Sequence, residues 1–253
     1  MDFLAVGILG SLWGSFANVC IYRLPLKGGV VKGRSFCPKC KKKIFWYENI
    51  PILSYLILGG KCSKCKKKIS TQYLLVEAIS IFSFLIIYYL FGISLTTILL
   101  IILFLSFLII FFIDLKYYII PDILTFPMMV LGFIKSFDPN LNPIFPNYTN
   151  SLLGGIIGYG IIWLIIMFYK KIRNREGMGL GDAKLLAVIG FWFGWISIPF
   201  VIFLSSTIAL IVVVPDLLKR QKKLTSQIPF GPYIIIATLF FLVFKLNLLG
   251  LFL

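Results

Sequence analysis

Long apolar runs separated by short polar segments dominate the chain. Several runs of about 18 or more uncharged residues approach the roughly 20 that a helix needs to cross a bilayer. The pattern predicts an all-α polytopic membrane protein with about eight transmembrane helices, near 3–22, 73–92, 96–113, 123–135, 151–169, 183–195, 196–214 and 228–247. The 123–135 and 183–195 runs are only about 13 residues long, so half-helices or re-entrant segments are the alternative there.

The composition agrees with this pattern. Hydrophobic residues make up 60% of the chain and the mean hydropathy is +0.99, whereas soluble domains are roughly 45–50% apolar. The first apolar run follows Met1-Asp2-Phe3 without a basic segment, which predicts a retained span rather than a cleaved signal peptide. Most of the chain is therefore expected to be surrounded by lipid.

The net charge of +16 fits one membrane orientation. If the N-terminus lies outside, the cytoplasmic segments are 23–72, 114–122, 170–182 and 215–227. These segments, with Lys184, hold 23 of the 25 basic residues, and only Lys135 and Lys245 fall toward the outside. Positive residues favour the cytoplasmic side during insertion, so topology accounts for the charge and no nucleic-acid partner is predicted.

Four of the five cysteines lie in the first cytoplasmic segment as two CxxC pairs, Cys37, Cys40, Cys62 and Cys65. Each CxxC turn can offer two thiolates to one tetrahedral zinc ion, and the second pair closes the coordination sphere. The pattern predicts a small zinc-ribbon-like loop domain. With four protein ligands and no histidine in the chain, the zinc would be structural and not catalytic.

Two disulfides are the competing interpretation of these cysteines. The predicted cytoplasmic location disfavours them, because structural disulfides rarely persist in a reducing compartment. Cys20 stands apart near the end of the first helix, where a buried apolar thiol is expected.

Four of the nine acidic residues abut or enter apolar runs, namely Glu77, Asp114, Asp122 and Asp182. An ionisable group at membrane depth is costly enough to indicate a functional site. Structural alternatives exist: Asp122 could cap the helix that follows Pro121, and Glu77 could pair with loop lysines.

Asp182 could likewise cap the 183–195 helix, but a cap does not explain the glycines before it. Gly177, Gly179 and Gly181 permit positive φ and close backbone approach, which suits a groove or an extended peptide beside the carboxylate. Asp114 and Asp182 both lie at predicted cytoplasmic helix ends, so they can meet at one depth and share a proton. That arrangement predicts aspartyl-protease chemistry, and the absence of histidine excludes Ser-His and Cys-His triads.

These motifs together resemble the bacterial prepilin peptidases, which are GxGD-type membrane aspartyl proteases also called type IV leader peptidases. The resemblance runs nearly end to end. It rests on Gly14-Ser-Phe-Ala-Asn18-Val-Cys-Ile-Tyr-Arg23-Leu-Pro25, the four-cysteine loop, Asp114 with Ile120-Pro-Asp122, Gly177-Met-Gly-Leu-Gly-Asp-Ala-Lys-Leu185, and Ile228-Pro-Phe-Gly-Pro-Tyr233.

The resemblance implies that Asp114 and Asp182 are the catalytic pair and that Asp122 is a supporting acid. It implies cleavage of type IV prepilins or type II secretion pseudopilins at the cytoplasmic face of the bacterial inner membrane. Family members with the N-terminal block and the cysteine loop also methylate the new N-terminus with S-adenosylmethionine. The resemblance therefore implies a cofactor site at Gly14, Ser15, Asn18 and Arg23.

The expected organisation is a first transmembrane helix at 1–22, a cytoplasmic zinc-binding loop domain at 23–72 that is associated with methyl transfer, and a membrane-embedded peptidase domain at 73–253. An ion-coupled transporter that uses Asp114 and Asp182 is the alternative function. Its coupling acids would lie at the midplane, whereas both aspartates are predicted at helix ends. A structural subunit of a secretion machine would need neither acid.

Overall fold

The computed structural model describes residues 2–26, 36–37, 39–141, 144–173, 179–218 and 228–250. Its α-helices in these ranges are α1 (Asp2–Arg23), α2 (Leu53–Ile57), α3 (Thr71–Phe91), α4 (Leu95–Tyr117), α5 (Asp122–Ile134), α6 (Tyr148–Arg173), α7 (Leu180–Phe193), α8 (Ser197–Leu218) and α9 (Gly231–Leu248). Short 3₁₀ turns occupy Trp46–Asn49, Lys135–Phe137 and Pro139–Leu141.

The all-α membrane architecture predicted from the sequence is confirmed. Each of the eight predicted apolar segments coincides with a helix, and α2 is an additional short helix within the cysteine loop. Six helices, α1, α3, α4, α6, α8 and α9, are long and apolar enough to cross a membrane. Helices α5 and α7 have 13 and 14 residues, or about 20 Å at 1.5 Å per residue, so the half-helix alternative stays open for both.

The chain forms two compact units, Met1–Ile109 and Ile110–Leu253. In the first unit α1 packs directly on α3 through two glycines. A Cβ atom on Gly14 would lie 2.8 Å from the Glu77 Cα atom, and one on Gly10 would lie 3.0 Å from the Ile81 Cα atom. These glycines therefore let the two helix backbones approach closely, as small residues do in membrane helix pairs.

Helix α7 is the central element of the second unit. Ten of its 14 residues are buried, which is typical of a helix enclosed by protein on all sides. The Trp192 indole N–H donates to the Met128 carbonyl of α5 at 2.8 Å, and the Ser151 hydroxyl of α6 donates to the Phe191 carbonyl at 2.7 Å. Hydrogen bonds to two neighbours thus fix the rotation of α7.

Helices α6 and α7 meet through glycines as well. A Cβ atom on Gly158 would lie 2.5 Å from the Leu186 carbonyl oxygen, and one on Gly190 would overlap the backbone of Gly154. By contrast, a Cβ atom on Gly160 would meet no atom within 4 Å. Close packing of α6 against α7 therefore depends on particular glycines and not on the glycine content of α6.

The two basic residues that the topology placed outside, Lys135 and Lys245, are at helix C-terminal ends in the second unit. The Lys135 ammonium group donates to the Trp192 carbonyl at 3.1 Å, and the Lys245 ammonium group donates to the Ile144 carbonyl at 2.7 Å. Cations are favourable at helix C-termini because the last carbonyl groups have no partner within the helix.

Candidate active site and metal centre

Asp114 lies in the last turn of α4 and is 4% exposed. One of its carboxylate oxygens accepts a hydrogen bond of 2.9 Å from the backbone N–H of Gly231, the first residue of α9. A Cβ atom on Gly231 would lie only 2.7 Å from that same oxygen. The carboxylate therefore meets the N-terminal end of α9, where N–H groups are free to bind an anion.

Asp182 lies in the first turn of α7 and is 9% exposed. The helix begins at Leu180 and its N-cap is Gly179, which has no side-chain cap hydrogen bond. Asp182 is therefore not the N-cap residue but the third residue of the helix. Its carboxyl group accepts a hydrogen bond from the Gly179 N–H, as the third residue of a capping box does.

Two glycines of the motif before Asp182 lie within the described residues. Gly179 has a φ of −81°, and neither it nor Gly181 adopts the positive φ that glycine permits. A Cβ atom on Gly181 would lie 3.0 Å from the Ile120 Cβ atom, so the missing side chain allows close packing there. Gly177 lies outside the described residues.

Ile120 joins the elements that carry the two aspartates. A Cβ atom on Gly231 would lie 3.3 Å from the Ile120 Cδ1 atom, so Ile120 borders both the start of α7 and the start of α9. The segment that follows α4 thus contacts the two helix N-termini at which the carboxyl groups lie. The sequence contained Ile120 within a motif but gave no sign of this contact.

The two aspartates interact electrostatically. Asp182 lies outside the six helices that are long and apolar enough to span a membrane. Burial, with a further contribution from the Asp114 carboxylate, raises the pKa of Asp182 to about 7. The structure therefore brings together the two predicted catalytic residues, and near neutral pH the pair can hold one proton between two carboxyl groups.

Asp122 is placed differently from that pair. It is the first residue of α5, the N-cap is Pro121, and no side-chain cap hydrogen bond is present, so the predicted capping role is wrong. Its carboxylate instead accepts from the Lys184 ammonium group of α7 at 2.6 Å, with the Asp122 side chain 55% exposed. Asp122 therefore ties α5 to α7 through a surface ion pair.

The four loop cysteines converge on one point. All four sulfur atoms lie within 4.8 Å of one another, and the Cys37–Cys65 and Cys40–Cys62 sulfur pairs are both 3.9 Å apart. Tetrahedral zinc with bonds of about 2.3 Å to each sulfur requires sulfurs about 3.8 Å apart. The predicted zinc-ribbon-like loop is confirmed as a cluster that could hold one metal ion.

The two CxxC hairpins share one backbone design. In each, the first cysteine donates its N–H to the residue five positions later and accepts from the residue four positions later. That last residue has a positive φ, 59° at Lys41 and 56° at Lys66. The repeated turn aims both thiols of each hairpin at a common centre.

A lysine and a glutamate hold the hairpins together. The Lys42 ammonium group donates to the Glu48 carboxylate at 2.8 Å and to the Ser63 hydroxyl at 2.7 Å. The hydrogen bond from Lys42 lowers the pKa of Glu48 to about 2. The loop domain is thus cross-linked by polar contacts, as expected where few apolar residues are available for a core.

The residues that the resemblance assigns to the cofactor lie on or beside the contact of α1 with α3. Asn18 is 3% exposed and its side-chain N–H donates to the Tyr73 carbonyl at 3.1 Å. Its Oδ1 atom is buried and, within the described residues, has no hydrogen-bond partner. Gly14 contacts α3 directly, Ser15 hydrogen-bonds to Glu77, and Arg23 ends α1.

Glu77 belongs to this same cluster. One of its carboxylate oxygens accepts from the Ile52 N–H at 2.8 Å, and Ser15 is its other hydrogen-bond partner. Within the described residues, the hydrogen bonds of Glu77 are thus with neutral groups, while Lys27 and Lys32 of the loop lie outside those residues. Sequence reasoning flagged the acid but missed Ile52, whose position in a loop 25 residues away gave no signal.

Known proteins match nearly the whole chain. The model of the bacterial peptidase A24 N-terminal domain matches residues 8–91, and that of the type IV leader peptidase family matches residues 99–214. The chain is 36% identical to a prepilin leader peptidase/N-methyltransferase of Pseudomonas aeruginosa, over 91% of this chain and 86% of the relative.

Two further relatives bear the same description. The protein of Neisseria gonorrhoeae is 36% identical over 82% of this chain and 79% of its own length. That of Pectobacterium carotovorum subsp. carotovorum is 33% identical over 94% of this chain and 91% of its own length. No solved structure matches the chain.

Proposed function

The chain belongs to the family of prepilin leader peptidase/N-methyltransferases, and from that premise we propose that it cleaves prepilin leaders with the carboxyl pair of Asp114 and Asp182. The substrates are type IV prepilins or type II secretion pseudopilins. The observation that carries the proposal is the electrostatic coupling of these two buried carboxyl groups. The transporter alternative finds no support among the relatives.

The surroundings of the pair suggest different roles for its members. Asp114 accepts a backbone N–H at a helix N-terminus, a contact that favours the ionised carboxylate. Asp182 has a pKa of about 7 and holds the shared proton near neutral pH. The ionised Asp114 then takes a proton from the attacking water, while protonated Asp182 donates a hydrogen bond to the scissile carbonyl.

After water has added to the carbonyl, collapse of the intermediate returns each carboxyl group to its starting protonation state. As water adds, Asp182 passes its proton to the carbonyl oxygen and a neutral diol forms. The protonated Asp114 then gives its proton to the leaving amine as the C–N bond breaks, and Asp182 regains a proton from a diol hydroxyl. The two carboxyl groups thus move protons without forming a covalent bond to the substrate. The cut is expected at the cytoplasmic face of the bacterial inner membrane, where the basic-residue distribution puts these helix ends.

The second activity is methylation of the new pilin N-terminus. S-adenosylmethionine is a cationic methyl donor, and the buried acceptor atom Asn18 Oδ1 that lacks a partner within the described residues fits the N–H donors of such a ligand. We assign its site to Gly14, Ser15, Asn18 and Arg23. Asn18 would accept an N–H of the methyl donor and the Arg23 guanidinium would pair with its carboxylate, while Gly14 packs on α3 and Ser15 hydrogen-bonds to Glu77 beside them.

The four-cysteine cluster would hold structural zinc. Its sulfur spacing fits tetrahedral coordination, and backbone N–H groups of Cys65 and Lys64 lower the pKa of Cys62 to about 6, which favours the thiolate ligand. Zinc there would hold the two hairpins in one geometry.

The peptidase proposal is tested with purified protein in lipid nanodiscs and a full-length prepilin. Asp114→Asn and Asp182→Asn should each lower cleavage at least 10³-fold, because the general acid–base pair is lost. Methylation of a pilin that has already been cleaved reports whether each variant is folded. Undiminished cleavage by either variant would remove that aspartate from the pair.

A further inference from the structure

Glu77 is a carboxyl group buried inside a helix that is long and apolar enough to span the membrane. It is 7% exposed and lies six residues after Thr71, the first residue of α3, or about 9 Å along the helix axis. Ionisable groups at such a position are costly and rarely retained without a function. The peptidase chemistry of Asp114 and Asp182 does not use it.

Among the described residues, Glu77 has two hydrogen-bond partners and both are neutral. The Ile52 N–H donates to one oxygen at 2.8 Å, and Ser15 is the second partner. Ile52 has a φ of +59°, a conformation that β-branched residues rarely adopt, and this local geometry directs its N–H to the carboxylate. Neither of these donors carries a charge, so within the described residues the hydrogen bonds to Glu77 come from neutral groups alone.

The rest of the cluster is rich in hydrogen-bond acceptors. Asn18 Oδ1 and Ser80 Oγ are both buried and, within the described residues, have no hydrogen-bond partner. Ser80 lies three residues after Glu77, on the same face of α3, and a Cβ atom on Gly14 would lie 3.0 Å from the Ser80 hydroxyl oxygen. Unsatisfied buried acceptors beside a carboxylate call for a ligand that brings positive charge and several N–H donors.

From these contacts we infer that Glu77 binds the α-ammonium group of the cleaved pilin and accepts the proton that this nitrogen loses on methylation. The inference rests on the proposed N-methyltransferase function. The pilin N-terminus offers three N–H donors and one positive charge, which match the Glu77 carboxylate and the Ser80 hydroxyl oxygen near it, while Asn18 Oδ1 remains for the methyl donor.

The proton has to leave before the nitrogen can react. An ammonium group has no lone pair, so one N–H proton passes to a Glu77 oxygen first. The freed lone pair then forms the bond to the methyl carbon as the methyl–sulfur bond breaks, and that electron pair stays on sulfur. The product is a methylated ammonium group, a neutral thioether and a protonated Glu77, which returns its proton to water.

The test compares Glu77→Gln, which keeps the shape and the hydrogen bonds but removes the base, with Asp2→Asn as a matched control at an exposed position of α1. Glu77→Gln is expected to lower methyl transfer to a cleaved pilin at least about 100-fold, the usual scale for loss of a general base. Prepilin cleavage and binding of labelled S-adenosylmethionine in equilibrium dialysis should stay within twofold, and Asp2→Asn should change none of the three.

A second measurement uses the wild-type enzyme and does not depend on the folding of a variant. A pilin peptide whose N-terminus is permanently cationic trimethylammonium should inhibit methyl transfer at least tenfold more strongly than the same peptide acetylated at its N-terminus. Equal inhibition, or methyl transfer by Glu77→Gln within threefold of wild type, would overturn the role of Glu77. A wild-type enzyme without methyl transfer would overturn the N-methyltransferase function itself.

Discussion

Replacing Gly231 with alanine perturbs Asp114 without substituting either of the two proposed catalytic residues. The new Cβ atom would lie 2.7 Å from the Asp114 oxygen that now accepts the Gly231 N–H at 2.9 Å. Ordinary carbon contacts begin near 3.4 Å, so the carboxylate or α9 must shift by about 0.7 Å and the hydrogen bond is lost or weakened.

The magnitude follows from these two effects. A hydrogen bond to a charged group contributes about 1.5–3 kcal/mol, and a displacement of about 1 Å at reacting groups costs about 100-fold in rate. We therefore expect prepilin cleavage by Gly231→Ala to fall about 10- to 100-fold. The loss should appear in kcat more than in KM, because Asp114 acts on the attacking water and not on the leader.

The assay measures kcat and KM for prepilin cleavage in nanodiscs and, in the same preparation, methyl transfer to a cleaved pilin. The matched control is Gly160→Ala, where the added methyl group meets no atom within 4 Å and alanine favours the helix. The control should keep wild-type kcat. A Gly231→Ala enzyme with kcat within threefold of wild type would refute the claim that this glycine positions Asp114.

Three further outcomes are expected. Burial raises the pKa of Asp182 from 3.8 to about 7. Its protonated form therefore stabilises the fold fully below about pH 4, and this stabilisation is lost as pH rises through 7. Cleavage should decline as pH rises through 7, and a cleavage rate that still rises at pH 8.5 would contradict the role assigned to Asp182. Chelation of zinc should free all four loop thiols, including Cys62, for titration by a thiol reagent and lower methyl transfer; unchanged thiol reactivity would contradict the metal site. Asp122→Asn should cost less than about 1 kcal/mol of stability because its ion pair with Lys184 is largely exposed, and loss of more than tenfold in cleavage would indicate a catalytic role instead.

The helices were predictable because the apolar runs are separated by charged residues or by glycine and proline. The four-cysteine cluster was predictable for a related reason, since CxxC spacing alone restricts how two thiols can face one ion. Both are local signals. The lengths of α5 and α7 were also apparent, but whether either crosses the bilayer depends on its neighbours and not on its own residues.

The unpredicted features are contacts between residues far apart in the chain. Gly231 and Asp114 are 117 positions apart, and Ile120 contacts two helix starts that no spacing rule connects. Gly179 and Gly181 show a different limit of sequence reasoning, because neither has a positive φ. Glycine permits that conformation without requiring it, and at Gly181 the missing side chain serves close packing with Ile120 instead.

The enclosure of α7 has a consequence for how the protein is made. A helix with an aspartate and a lysine among its first five residues, Asp182 and Lys184, is unfavourable to release into lipid on its own. Its ten buried residues are covered by protein only when α5, α6 and α9 are already present. Membrane integration of α7 is therefore expected to wait for synthesis of α9, so the active centre forms among the last steps of biogenesis. Chains truncated before Gly231 should leave α7 open to protease or alkaline extraction.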